Sequence, residues 1–254
     1  MEGIFRRIEK KYAVPTSRYP ELLERLKEHF FEDEYGIQPI HNIYFDTQND
    51  GIIRRSLEKP VFKEKMRLRS YGIADENTVV YAELKKKYDG TVYKRRIKLK
   101  YSEAKKYLTA NGEAASGADG QIKREIDYFA AHNAVMPKIF IAYDRIALKE
   151  KNNGAARITF DFNIRYRFDK LTLGAPHPNL RFDNGDFYIM EIKSPLALPL
   201  WLTALLSEQR LFPVSFSKYG KIFEKVHGVL PSFTSAPLQL LIPDKEVLYA
   251  GEYN

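Results

Sequence analysis

Charges at every second residue recur along this chain in strings too polar to line an apolar core. They appear in Glu9-Lys10-Lys11, Lys65-Met66-Arg67-Leu68-Arg69, Glu83-Leu84-Lys85, Lys94-Arg95-Arg96-Ile97-Lys98, Tyr143-Asp144-Arg145, Arg157-Ile158-Thr159-Phe160-Asp161 and Glu191-Ile192-Lys193. Side chains alternate between the two faces of a β-strand, so each string aims its charges to one side. The residues between them, including Met66, Leu68, Leu84, Phe140, Ile158, Phe160 and Ile192, supply an opposite apolar face. A single strand of this kind reads as the wet side of an ordinary antiparallel sheet. Strand after strand dominated by Lys and Arg does not, because such a face repels itself unless an anion joins it. The pattern points to a sheet that gathers a polyanion site.

Turn chemistry sets the register of that sheet. Asp89-Gly90 tolerates positive φ at both positions of a two-residue type I′ hairpin, which pairs Tyr88 with Thr91, Lys85 with Lys94 and Glu83 with Arg96. In a second hairpin, a three-residue loop over Asn152 to Gly154 keeps charge with charge by placing Arg145 opposite Asp161. Further strands are expected over 4–13, 41–46, 63–71 and 187–195. Helices are expected from Pro20 to about Glu32, over 51–57, within 103–133 around a Gly/Ala/Ser-rich loop at 111–120, over 199–209, and after Ser217-Lys218-Tyr219. The predicted fold is α+β: a closed eight-stranded antiparallel β-barrel with surrounding helices over residues 1–226, followed by an unplaced tail at 227–254.

Composition narrows the partners. Lys and Arg number 41 against 33 Asp and Glu, a formal charge of +8, which favours acidic ligands. No cysteine is present, so disulfides, thiolate metal sites and a cysteine nucleophile are excluded. The longest apolar stretch, Leu196 to Leu206, contains Pro199 and is too short to span a bilayer. Charges at Arg6, Arg7, Glu9, Lys10 and Lys11 leave no room for an apolar leader. A soluble, cytoplasmic protein without a transmembrane segment is expected. The five histidines show no metal-ligand spacing, and Trp201 reads as helix packing.

The motifs Glu9-Lys10-Lys11-Tyr12, Ile43-Tyr44-Phe45-Asp46, Arg67-Leu68-Arg69, Glu83-Leu84-Lys85, Tyr143-Asp144-Arg145, Arg157 to Asp161, Glu191-Ile192-Lys193 and Ser217-Lys218-Tyr219 together resemble the polyphosphate polymerase (VTC) domain. That family lies within the CYTH-like triphosphate tunnel metalloenzymes. The resemblance implies a basic tunnel that grips ATP and polyphosphate, with no specific nucleic acid as partner, and a Mn²⁺ or Mg²⁺ cofactor. It implies catalytic roles for Lys11, Arg67, Arg69, Arg145, Lys193 and Lys218, and substrate binding by Lys65, Lys85, Lys94, Arg96, Lys98, Arg157, Arg165 and Ser217. Metal ligation falls to Glu191, with Glu83 and Glu9 as further candidates; Glu191 lies two residues from Lys193 on the inward face. Charge-assisted contacts of about 1.5–3 kcal/mol each, several acting together, suffice to hold such a chain out of bulk water. The implied reaction transfers the γ-phosphate of ATP onto a growing chain. Hydrolysis of an inorganic, nucleoside or RNA triphosphate, and non-catalytic polyphosphate binding, are the alternatives.

One departure bears on that choice. Hydrolytic and cyclising relatives often begin with Glu-x-Glu-x-Lys, whereas the first acidic position here is Arg7. Fewer acids make a second metal and an activated water harder to hold. Arg7→Glu should therefore raise the ratio of free phosphate to chain formed, measured at saturating metal with ATP and with triphosphate. An unchanged ratio in a folded, metal-binding variant would refute the link.

Overall fold

The structure is a computed structural model that describes residues 8–89, 91–109, 120–151, 156–195 and 197–228. Its elements run β1 (Ile8–Pro15), α1 (Tyr19–Lys27), β2 (Phe30–Glu32), β3 (Gln38–Asp46), α2 (Gly51–Leu57), β4 (Phe62–Tyr71), β5 (Val79–Tyr88), β6 (Thr91–Lys100) and α3 (Tyr101–Ala104). They continue with α4 (Gln121–His132), β7 (Met136–Glu150), β8 (Arg157–Arg167), β9 (Leu180–Arg181), β10 (Phe187–Ser194), α5 (Leu200–Glu208) and α6 (Lys218–His227). The strands form one antiparallel sheet in the order β1-β10-β8-β7-β3-β4-β5-β6, with β2 added to β7 and β9 to β8.

The sheet curls but does not close, which corrects the closed barrel expected from the sequence. Among the described residues no ladder joins β1 to β6. The free edge of β1 is taken instead by the stretch after α5: Val214 N–H donates to the Lys11 carbonyl at 2.7 Å, and Tyr12 bridges Pro213. Across the concave side β1 and β5 approach through side chains, with Lys85 Nζ 3.5 Å from Glu9 Oε1.

Both predicted hairpin registers hold: Tyr88 faces Thr91, Lys85 faces Lys94 and Glu83 faces Arg96, while Arg145 faces Asp161. Residues 1–7, Gly90, 110–119, 152–155, Leu196 and 229–254 lie outside the described residues. The first helix ends earlier than expected, at Lys27, and Phe30 to Glu32 instead form β2. Phe30 is buried with Leu22 and Leu26, so the apolar spacing that mimics a longer helix comes from two elements sharing one core.

The apolar positions divide as the alternation requires. On the convex side, Met66, Leu68, Val80, Leu84 and Phe140 pack beneath Tyr101, Tyr107, Ile126 and Phe129 from the α3–α4 region. Ile158, Phe160, Met190 and Ile192 pack beneath Leu22 and Leu26 of α1 and Leu202, Leu205 and Leu206 of α5. A third cluster, not anticipated, fills part of the concave side: Ile40, Tyr44, Ile139, Ile141 and Ile189 meet Tyr219, Ile222 and Phe223 of α6. No helix among the described residues is long and apolar enough to cross a membrane.

A bulge in β8 reverses one sequence assignment. The β7–β8 register shifts between Ala142 and Asp144, and Asn163 takes φ +53°. An extra residue flips every side chain beyond it to the other face. Arg165 therefore leaves the concave set and binds Asp144 at 2.8 Å on the convex side. Beside it His41 is fully buried, its Nε2 3.2 Å from Nδ1 of His177. Burial, His177, and the guanidinium groups of Arg165 and Arg167 outweigh Asp144 and bring the His41 pKa down to about 4. As pH falls below about 6.5, the unfolded chain takes up this proton first, so stability drains away until about pH 4. Urea unfolding should show less acid destabilisation across that window in His41→Phe than in the native chain.

Candidate functional site

The concave charges are organised around buried carboxylates. Glu83, on β5, binds Arg67 of β4 at 2.7 Å, Lys94 of β6 at 2.7 Å and Arg96 at 3.4 Å. Burial opposes its charge, but Arg67, Arg69 and Lys94 hold its carboxyl well below the usual range. Arg67 also donates to the Tyr44 hydroxyl at 3.0 Å, and Arg96 lies over the Tyr81 ring. Arg69 donates to the Asn42 side-chain carbonyl and to the Tyr143 hydroxyl, both at 3.0 Å.

Asp161, on β8, forms a second hub. Arg145 grips it with two bonds of 2.6 and 2.8 Å, and Lys218 reaches it from the start of α6. Arg145 and Lys218 overcome the burial that would otherwise raise the Asp161 pKa and keep it ionised. Tyr143 lies between these groups. Burial pushes its phenol up, yet Arg69 and Arg145, with Lys218, pull it down to about 8.

The third group joins β1 to β10, where Lys11 faces Glu191 and Glu9 faces Lys193. Glu191 is 2.6 Å from Lys193 and 3.7 Å from Lys11, and Lys11 is 3.9 Å from Glu9. Lys11 also donates to the Phe216 carbonyl at 3.0 Å. Burial works against the Glu191 charge, and Lys11 and Lys193 more than reverse it.

Lys65 completes the cradle. Its ammonium donates to Ser217 Oγ at 2.9 Å, a neutral partner. Burial, then Lys63, Lys11 and Lys85, lower its pKa to about 7. Burial likewise lowers Lys85, and brings Lys94 to about 8 despite Glu83. The concave face thus sets cations including Lys11, Lys65, Arg67, Arg69, Lys85, Lys94, Arg96, Arg145, Lys193 and Lys218 against Glu9, Glu83, Asp161 and Glu191. Such an excess is suited to a multiply charged anion.

Arg165 stands apart, on the other face. Arg157 is half exposed at the rim on Asp33, and Lys98 shares the face of Lys94 and Arg96 on the edge strand β6, exposed like them. Sequence reasoning missed Asn42, Tyr44, Asp46 and Tyr143 as members of the site framework. Tyr44, Asp46 and Tyr143 lie within the motifs and Asn42 beside one, but an uncharged or lone polar residue gives no alternation signal.

The donor set can be tested against a divalent metal. Among the described residues no three acidic or histidine side chains converge into a protein-only metal cage. Glu83 is committed to three cations. Glu9 and Glu191 each pair with two lysines, but both flank Lys11 and offer hard oxygen donors from adjacent strands, a donor set that fits a divalent ion completed by oxygens of a bound anion.

Fold and site define an α+β protein whose curled antiparallel sheet presents a cation-rich concave face, covered in part by α6. The chain belongs to the VTC domain family, whose model matches residues 6–227. Comparison with curated proteins gives no match. Among solved structures, the chain is similar to HpAC1 from Hippeastrum, reported to have a dominant triphosphatase activity, at 16% identity and TM-score 0.49, covering 84% of this chain and 93% of that one. Protein PH1819 from Pyrococcus horikoshii aligns at 12% identity and TM-score 0.44, over 86% and 99%. The Mimivirus capping enzyme triphosphatase aligns at 11% identity and TM-score 0.30, over 79% and 86%.

Anion binding should change the protonation of Lys65. A phosphate chain favours the ammonium form and raises its pKa, so binding takes up protons wherever free Lys65 is partly neutral. Calorimetry at pH 8 in buffers of different ionisation enthalpy should show more protons taken up per tripolyphosphate by the native chain than by Lys65→Met. That difference should vanish near pH 6.

Proposed function

We propose that this protein is a metal-dependent phosphotransferase that extends polyphosphate from ATP on the concave face of its sheet. The observation that carries the reading is convergence: cations from β1, β4, β5, β6, β7 and β10 share one concave surface, and Ser217 and Lys218 are brought onto it by a helix far away in sequence.

The chemistry asks little of a side-chain base. A terminal phosphate oxygen of the chain is already an anion, and it forms the new bond to the γ-phosphorus of ATP as the β–γ bridging bond breaks and ADP leaves. Catalysis then rests on alignment and on stabilising charge. Arg67, Arg69 and Arg145, held rigidly by Glu83, Asn42, Tyr143 and Asp161, present guanidinium groups from the floor. Lys65, Ser217 and Lys218 act where α6 meets the sheet, and Lys11, Lys85 and Lys193 line the β1 side. Glu191 and Glu9 are the carboxylates that would hold Mg²⁺ or Mn²⁺, and the ion would supply a fixed positive charge to the phosphate oxygens.

The test is product analysis. The protein is incubated with ATP, Mn²⁺ or Mg²⁺ and a short polyphosphate primer, and long anions, ADP and free phosphate are resolved. Chains with ADP are expected; free phosphate without chains would mean hydrolysis, and tight polyphosphate binding without turnover would mean a binding module. Glu191→Ala should abolish metal-dependent turnover while polyphosphate binding stays intact or tightens, and full activity would remove Glu191 from the metal role. Arg67→Ala and Arg69→Ala should each weaken nucleotide binding or transfer by about tenfold or more, from about 1.5–3 kcal/mol per charged contact.

A further inference from the structure

The first turn of α6 delivers Ser217 and Lys218 to the sheet, and a buried carboxylate holds that turn from behind. Asp46 ends β3 and is fully buried. Its Oδ1 accepts from the backbone N–H groups of Thr47 and Ile52, both at 2.8 Å. Its Oδ2 accepts from Ile53 N–H at 2.9 Å and from the Tyr219 hydroxyl at 3.1 Å. Three of these four donors belong to the turn into α2, so the carboxylate is already oriented where the phenol reaches it.

Three consecutive residues of α6 and its cap are tied to three different strands. Ser217 accepts from Lys65 of β4, Lys218 binds Asp161 of β8 and lies over the Tyr143 ring at 4.1 Å, and Tyr219 binds Asp46 of β3. Successive helical residues point about 100° apart, so a small rotation of α6 moves all three together. Close packing supports one rotation: a Cβ at Gly220 would come within 3.2 Å of Leu57.

We propose that Asp46 and Tyr219 are positioning residues for the anion site, their buried hydrogen bond setting the rotation of α6 so that Ser217 and Lys218 face the cationic sheet. This rests on the reading of the concave face as a phosphate-chain cradle. Tyr219→Phe isolates the effect, since the ring contacts with Tyr44 and Phe223 do not need the hydroxyl and Asp46 keeps its backbone donors.

The experiment is a double-mutant cycle on the full chain, read by calorimetric binding of inorganic tripolyphosphate and by melting temperature. Tyr219→Phe should weaken binding by about fivefold to tenfold in the native background and by less than about twofold in Lys218→Ala, because the two residues act through one interaction. Asp46→Asn, which removes the charge and leaves the aromatic packing alone, should repeat that background dependence. Equal losses in both backgrounds would overturn the proposal and assign the bond to the fold at large. If the native chain binds tripolyphosphate but turns over no ATP, the enzymatic reading falls while the cycle still decides the positioning role. Failure of the native chain to bind tripolyphosphate at all would overturn both.

Discussion

Cations crowded onto one curved surface repel each other, and the rest of this structure depends on how that repulsion is contained. Glu83 and Asp161 are buried among guanidinium and ammonium groups that would be costly to bury alone. Glu191 and Glu9 play the same part where β1 meets β10. These carboxylates leave an excess of positive charge. Its cost is visible in Lys65 and Lys94, which burial and like charge bring down to about 7 and about 8. An anion bound on this face would relieve the same strain, so the energetics of the fold and the proposed preference for a polyanion have one origin.

Containment also explains the placing of the helices. Alternation leaves the convex face apolar, and α1, α5 and the α3–α4 region cover it. The concave face is apolar where Ile40, Ile139, Ile141, Ile164 and Ile189 lie, and α6 docks there. Its buried side is anchored by Tyr219 on Asp46, and its first turn projects Lys218 among the charges. The opposite walls of the half-barrel, β1 and β5, are tied weakly by comparison. Partly exposed pairs such as Lys85–Glu9 contribute about 0–1 kcal/mol.

Much of this arrangement was legible in the sequence because a strand has a period of two. The alternating strings named the concave cations, and Asp89-Gly90 fixed the β5–β6 register that puts Arg96 and Lys94 on Glu83. Matching charge to charge across the second hairpin set Arg145 against Asp161. The same rule failed at Asn163, where one bulged residue turned Arg165 outward. It had nothing to say of Asn42, Tyr44, Asp46 and Tyr143, whose roles come from partners on other strands.

Local chemistry along the chain therefore determined which residues face inward up to the bulge at Asn163, which strands are neighbours through tight turns, and that the shared face is cationic. Those properties depend on backbone geometry and nearest neighbours. Tertiary structure alone decided that the sheet stays open, because the β1 edge is spent on Val214 and Pro213. It alone brought Ser217 and Lys218 to Lys65 and Asp161 across separations of 152 and 57 residues. Contacts of that range depend on how the packed elements fit together, which no local pattern encodes.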